Sequence, residues 1–204
     1  MNYIGIDPGP TESAIAVWTD DAGLKYAVKE SNHNIRARLR SGDDKPWALL
    51  VEFTKPYTLN TKKGNSYVPL EVVQAAMEAG RMIEAFQNAE TWKRCDTVHL
   101  VTRQEVKKAL LGRTTGTDKD VRDALIDRYG GRDVAIGGVR CKACNGKGWV
   151  GRGRPECEAC RGTKWLHPPG PLNGFAGDCW AALAVIEAYR ELLELPNEQL
   201  ALAI

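Results

Sequence analysis

The opening of the chain alternates apolar and polar positions in the manner of strands. Asn2-Tyr3-Ile4-Gly5-Ile6 is a short β-rich run that ends in Asp7-Pro8-Gly9, and Ala14 to Trp18 forms a second strand. Asp20-Asp21-Ala22-Gly23 reads as a turn into a third strand, Leu24 to Lys29, so the first three strands make an antiparallel meander. Ala48-Leu49-Leu50-Val51 has the unbroken apolar character of a buried strand, with Glu52 at its C-terminal end, and Thr54 to Val68 reads as a loop. From Pro69 to Gln87 the apolar residues Val73, Met77, Met82, Ile83 and Phe86 recur at helical spacing, with Pro near the first turn, where its missing N–H costs nothing. Thr97 to Val101 is another buried strand. Arg103 to Leu111 is a short helix stopped by Gly112, and Thr117 to Tyr129 a further helix with Thr117 as N-cap and Gly130 past its end. The last long helix begins at Phe175 or Gly177, sets Trp180, Leu183, Ala184 and Glu187 on alternating faces, and closes at Pro196. This order predicts an α/β fold with one central mixed sheet flanked by helices.

A length of 204 residues suits one domain carrying a small insertion, and 43% hydrophobic with 26% charged residues disfavours long disorder or fibrous repeats. The uncharged run Cys179 to Ile186 is far too short to cross a bilayer, and the N-terminus lacks a basic region followed by an apolar stretch, so a cytoplasmic location is expected.

Charge and cysteine both single out one segment. The net charge is +2, but residues 141–164 hold six bases (Lys142, Lys147, Arg152, Arg154, Arg161, Lys164) against Glu156 and Glu158, a net of +4 that leaves −2 for the remainder. Such a patch either meets a polyanion or keeps a Gly-rich excursion soluble. Four of the six cysteines lie here as two Cys-x-x-Cys pairs, Cys141 with Cys144 and Cys157 with Cys160, twelve residues apart. Glycines behind each pair allow the tight turn beneath a tetrahedral ion, which predicts one structural zinc. The knuckles resemble those of the DnaJ-type cysteine-rich domain, which binds two ions through four such pairs where this chain has two. Cys95 and Cys179 lie in apolar surroundings and read as small core residues.

Three carboxylates fall at element ends: Asp7 after the first strand, Glu52 after a central strand, and Asp178 at the start of the final helix. Taken singly, each has a bland reading as a turn former, a strand-end surface charge or a helix-start charge. Converging at one end of the sheet, they form a set of hard oxygen ligands for Mg²⁺ or Mn²⁺, suited to phosphodiester hydrolysis.

Together these segments resemble one family. Tyr3-Ile4-Gly5-Ile6-Asp7-Pro8-Gly9 is similar to the opening strand of the RuvC family of Holliday-junction resolvases, of the RNase H-like superfamily, where this Asp binds catalytic metal. Val51-Glu52, the following loop and the helix to Phe86 resemble that family's second acid and its helix. Arg103 to Gly112 with Asp118-Lys119 resembles its downstream basic stretch, and Gly177-Asp178-Cys179-Trp180 onward its terminal acidic helix. Trp180 and Pro171-Leu172-Asn173-Gly174 are nearer to bacteriophage-encoded members. The resemblance covers nearly the whole chain except the zinc segment and the tail. It departs from the family at Phe175, where many members place a further Asp or His, and Asn173 and His167 are candidate replacements.

The resemblance implies an RNase H-like nuclease domain at 1–138 and 166–195, a zinc-binding insertion at 139–165 before the last helix, and a tail at 196–204. It implies a structure-selective endonuclease resolving four-way or other branched DNA, active as a homodimer, with Asp7, Glu52 and Asp178 holding two Mg²⁺ or Mn²⁺ ions. The helix of Met77 and Ile83 is a candidate dimer face. Lys107 and Lys119 are candidates for phosphate contacts, Tyr57 with Lys62 and Lys63 for opening a junction centre, and Lys147, Arg152 and Arg154 for a DNA surface on the insertion. The expected setting is the cytoplasm of a bacterium or a phage-infected cell, with no membrane contact. Two other classes share features of the sequence. One is a non-catalytic, zinc-containing nucleic-acid binding module; the other is an actin-like phosphotransferase, whose first phosphate loop Gly5 to Thr11 resembles but whose second domain the length does not accommodate.

Overall fold

The structure, a computed structural model, describes residues 1–41, 47–53, 59–60, 66–89, 97–151 and 155–194, the side chains of 59, 60, 66, 67, 193 and 194 excepted. The chain forms two compact units, Met1–Val121 with Ala176–Ile204, and Arg122–Phe175.

The first unit is built on a five-stranded sheet. Strands β1 (Asn2–Asp7), β2 (Glu12–Thr19) and β3 (Gly23–Ser31) form the expected antiparallel meander. A helix follows, α1 (Asn32–Arg40), which the sequence reading does not anticipate. Its signals are sparse: Ser31 caps it by accepting from Asn34 N–H, and the apolar residues it buries are only Ile35 and Leu39, one turn apart. The chain then enters β4 (Trp47–Phe53), parallel to β1, and after α2 (Leu70–Gln87) it enters β7 (Thr97–Thr102), parallel to β4. The sheet order is β3-β2-β1-β4-β7. The segment expected as a loop contains a short antiparallel pair, β5 (Leu59–Asn60) with β6 (Ser66–Tyr67).

Side chains alternate across the sheet and sort the core into two layers. Ile4 and Ile6 of β1, Ile15 and Val17 of β2, and Trp47, Leu49 and Val51 of β4 meet Ile35 and Leu39 of α1 and Met82 and Phe86 of α2. The intervening residues Tyr3, Gly5 and Asp7 of β1 and Ala48, Leu50 and Glu52 of β4 belong to the other face, on which α6 (Cys179–Glu194) packs. Strand β4 is buried from Trp47 to Glu52, as a central parallel strand covered on both sides must be.

Helix α6 differs from expectation in two respects. It starts at Cys179 rather than at Phe175 or Gly177, because Gly177 has φ 46° and a turn closes from Cys179 N–H to the Ala176 carbonyl. Trp180, Leu183, Ala184 and Glu187 do not alternate between buried and solvated faces: all four are buried, and burial is continuous from Ala182 to Ala188. This is a core helix, enclosed on all sides. It lies so close to β1 that a Cβ on Gly5 would stand 2.2 Å from the Ala182 carbonyl oxygen and 2.7 Å from Ile186 Cγ1.

After β7 the chain forms α3 (Arg103–Leu111), stopped by Gly112 in the left-handed conformation at φ 68°, and α4 (Asp118–Arg128). Thr117 caps α4 as expected, accepting from Asp120 N–H while Asp120 accepts from Thr117 N–H. The second unit holds α5 (Arg132–Ala135), the antiparallel pair β8 (Val139–Arg140) and β9 (Trp165–His167), and between those strands the four cysteines. Among the described residues no helix is long and apolar enough to cross a membrane.

The contact at Gly5 yields a direct test. Gly5→Ala forces a methyl group against backbone, which a well-packed core accommodates at a cost of about 1–3 kcal/mol or more. Urea unfolding should show that loss as a lower midpoint with unchanged slope; an unaltered midpoint would mean that α6 does not press on β1.

Candidate active site

Two parallel strand ends and one helix start assemble the acids. The last paired residues of β1 and β4 before the site are Ile6 and Val51, so the next residues, Asp7 and Glu52, are neighbours at the C-terminal ends of adjacent strands. Glu52 pairs in turn with Val101 of β7. On the other side Asp7 pairs with Ala14 and Ala14 with Lys29, which extends one row across the sheet from β3 to β7. Asp178 immediately precedes α6, where its carbonyl accepts from Ala182 N–H at 3.0 Å, and Ala182 is the residue that touches Gly5. The close approach of α6 to β1 thus delivers the helix head to the end of the strand.

The electrostatics of Asp7 register this convergence. Burial raises its pKa first, and the negative charges of Glu52 and Asp178 raise it further, to about 7, against the lowering influence of Arg103 and Lys29. A carboxyl crowded in this way, next to two further oxygen donors, is suited to a hard divalent cation. The donor set therefore fits Mg²⁺ or Mn²⁺, with Asp7, Glu52 and Asp178 as the residues to hold it.

The structure also brings in three residues to which the sequence reading gave no site role. Arg103 is the first residue of α3, and the capping box of Thr102 and Glu105 fixes that helix start. Its Nη1 donates to Glu52 Oε1 at 2.9 Å, and its Nη2 donates to Asp118 Oδ1. Lys29 Nζ lies 2.7 Å from Asp178 Oδ2, and this hydrogen bond raises the lysine's pKa. Glu52 is 5% exposed, so its charge is viable because of the guanidinium beside it. A largely apolar cavity of about 170 Å³, lined by Pro8, Phe53, Val72, Ala75 and Ala79 among others, opens beside Glu52.

Other expected site residues are spread more widely. Lys107 lies half-buried on α3, and Lys119 is exposed on the first turn of α4 beside Asp118. Met77 is exposed on α2, whereas Ile83 packs against the core. Tyr57, Lys62, Lys63, Arg152, Arg154 and Cys95 lie outside the described residues. Asn173 and His167 are both engaged within the second unit: Asn173 Nδ2 donates to the Ile136 carbonyl at 2.8 Å, and His167 Nε2 stands 3.7 Å from Asp133 Oδ2. Cys179 is buried, as expected of a core residue.

In the second unit the sulfurs of Cys141, Cys144, Cys157 and Cys160 all lie within 4.8 Å of one another. Cys141 and Cys157 are 3.8 Å apart and Cys144 and Cys160 3.7 Å, far beyond a disulfide bond. A tetrahedron with Zn–S bonds of about 2.3 Å has edges of about 3.8 Å, so the quartet has the dimensions of a zinc site. The two knuckles have matching backbones, with Asn145 (φ 51°) then Gly146 (φ 71°) in one and Arg161 (φ 45°) then Gly162 (φ 73°) in the other. Burial opposes ionisation of Cys144 and Cys160, and the pKa of Cys160 is held up to about 12. At Cys144 the Gly148 N–H, 3.3 Å from the sulfur, and the neighbouring thiols outweigh it and draw the pKa down, toward the thiolate that binds metal. Lys147 lies over Trp149, 5.4 Å from the ring centre, and Arg140 over Trp165 at 5.5 Å, which leaves this unit with a basic, aromatic surface. Among the described residues this is the one group of three or more potential ligands gathered so tightly; the carboxylates are not, with Glu52 on Arg103 and Asp178 on Lys29.

Among solved structures the chain is similar to RuvC from Thermus thermophilus, with 15% identity over 95% of each chain and a TM-score of 0.53. It also matches T. thermophilus RuvC in complex with a Holliday junction substrate, with 13% identity over 95% of this chain and 94% of that one and a TM-score of 0.49. The first likeness establishes the fold: a mixed five-stranded sheet of the RNase H-like class flanked by helices, with a four-cysteine cluster ahead of the last helix. No protein-family model matches the chain, and no curated protein matches it in sequence.

The raised pKa of Asp7 makes the stability of the divalent-ion-free protein depend on pH. An unfolded Asp titrates near 3.9, so the folded carboxyl keeps its proton to higher pH than the unfolded one. The resulting stabilisation is complete below about pH 4 and is lost as pH rises to about 7, a change on the order of 4 kcal/mol at most. Asp7→Asn stays neutral throughout. Urea unfolding without divalent ions should find the variant gaining on the wild type between about pH 4 and 7 and holding its lead above. A pH-independent difference would contradict the crowding of the three acids.

Proposed function

We propose that this protein is a structure-selective DNA endonuclease that cuts four-way junctions or related branched DNA by divalent-metal-dependent phosphodiester hydrolysis. One observation carries the reading: in an RNase H-like fold, Asp7, Glu52 and Asp178 converge from two strand ends and a helix start on one electrostatically coupled site. The RuvC-like order of the motifs around these same three residues supports the junction as the substrate. A divalent ion bound there supplies charge stabilisation at the phosphoryl group and a lowered pKa for the attacking water. The chain's own part is to hold three carboxylates at fixed spacing on rigid elements, with Glu52 oriented by Arg103. Products carry a 5′-phosphate.

Recognition in this reading rests on shape and phosphate position. Lys107 and Lys119, on the two helices that follow β7, contact backbone phosphates. Tyr57, with Lys62 and Lys63, holds open the junction centre. Lys147, with Arg152 and Arg154, gives the cysteine unit DNA contacts of its own, where Trp149 already carries a cation over its ring. A four-way junction has two-fold symmetry, so the active species is a homodimer. Leu70, Val73 and Met77, apolar and exposed at helical spacing on α2, provide its face. Zinc folds the cysteine segment, which has little apolar surface of its own to bury.

Asp7→Asn, Glu52→Gln and Asp178→Asn should each lower Mg²⁺-dependent cleavage of a synthetic four-way junction by about 100-fold or more. Each should retain junction affinity within a few-fold, because positioning and metal chemistry reside in different residues. A variant that cuts near the wild-type rate removes its residue from the catalytic set. A wild type that binds junctions without cutting them with Mg²⁺ or Mn²⁺ favours the non-catalytic zinc module.

A further inference from the structure

The acid cluster contains its own cations, and their number limits how many metal ions it can take. Glu52 is 5% exposed, and Arg103 holds its Oε1 at 2.9 Å. The other arm of the same guanidinium holds Asp118, so the fork is clamped between two carboxylates and sits at a helix start fixed by a capping box. A guanidinium does not give up its proton in a protein, which makes this a permanent charge. Lys29 does the same for Asp178 at 2.7 Å. Two of the three carboxylates at the site, Glu52 and Asp178, are thus already paired with cations, so less negative charge is left for metal ions than three carboxylates carry.

The ligand inventory agrees with this charge count. One helical turn before Asp178 in sequence stands Phe175, which offers no donor atom, and Asn173 and His167 are engaged within the other unit. A second ion would need Glu52 as a ligand on the side that Arg103 holds. We propose that the site takes one divalent ion, on Asp7, Asp178 and the oxygen of Glu52 that Arg103 leaves open, and that the Arg103 guanidinium takes the place of a second. Arg103 is then a positioning residue for Glu52 and a built-in counter-charge, in departure from the two ions that the family resemblance implies. The inference rests on the nuclease reading only in requiring that these carboxylates bind a divalent ion.

The test is a titration of the full-length, zinc-loaded chain with Mn²⁺, followed by calorimetry and electron paramagnetic resonance without DNA. The cysteine site does not compete, because thiolates select softer ions than Mn²⁺. The wild type should bind one Mn²⁺ per chain with the spectrum of an isolated ion, and Asp7→Asn should lose it. Arg103→Ala frees Glu52 and Asp118 and should bind two ions with an exchange-coupled spectrum, whereas Arg103→Lys, which keeps a cation, should stay at one. Two coupled ions in the wild type overturn the inference and leave the nuclease reading standing. A single ion in a folded Arg103→Ala removes Arg103 from the role. If that variant fails to fold, Arg103→Gln and the wild-type stoichiometry decide. No Mn²⁺ bound by the wild type overturns the metal-dependent reading itself, and the inference with it.

Discussion

The arrangement of this protein depends on how closely one helix can approach one strand. At Gly5 there is no side chain, and the backbone of α6 occupies the space where a Cβ would be, with the Ala182 carbonyl 2.2 Å from that position. The approach encloses α6 from Ala182 to Ala188 and sets Tyr189 against the same face of the sheet, edge-on to Tyr3 and hydrogen-bonded to His99 at 2.7 Å. It also sets the helix head. Asp178 comes to the end of β1 because Ala182, one turn on, is seated two residues before Asp7 on that strand. Packing density thus positions a charge, with precision that a loop would not provide.

The second constraint is electrostatic and pulls the other way. Acids that packing brings together repel one another, and the cluster is offset partly from within, by Arg103 on Glu52 and Lys29 on Asp178. Breaking a buried pair is costly because it leaves a charge alone. Glu52, buried in the central strand, depends most on its partner, while Asp7 instead responds by holding its proton toward neutral pH. The repulsion within the cluster is therefore offset in part by the chain's own cations and in part by protonation of Asp7. The cysteine segment, residues 141–164, follows a different logic, with soft ligands at tetrahedral spacing and, among the described residues, no other buried hydrophobic side chain.

Much of this was legible in the sequence, for identifiable reasons. The strands of the meander, β4, β7 and α2 follow from local periodicity, and the cysteine quartet from spacing alone, since each knuckle is a local structure. Asp7, Glu52 and Asp178 could be picked out because each sits at an element end, where a short sequence pattern marks it. Lys29, Arg103 and Asp118 could not, because their roles depend on register across three strands and on the pairing of two helix starts. Helix α1 was missed because its exposed face is Asn, His and Arg, with two inward apolar residues too few to show a period. The start of α6 was misplaced because apolar character continues upstream of the break at Gly177.

The central claim is that a metal site of this kind, on this fold, acts on the crossover of branched DNA. It is tested most directly by incubating the purified protein with Mg²⁺ and end-labelled four-way, three-way and linear DNA of identical arm sequences, and mapping every cut. The account predicts paired nicks, symmetric about the crossover of the four-way junction, with the linear duplex intact. Equal cutting of the linear duplex, or no cutting of any substrate with either Mg²⁺ or Mn²⁺, would contradict it.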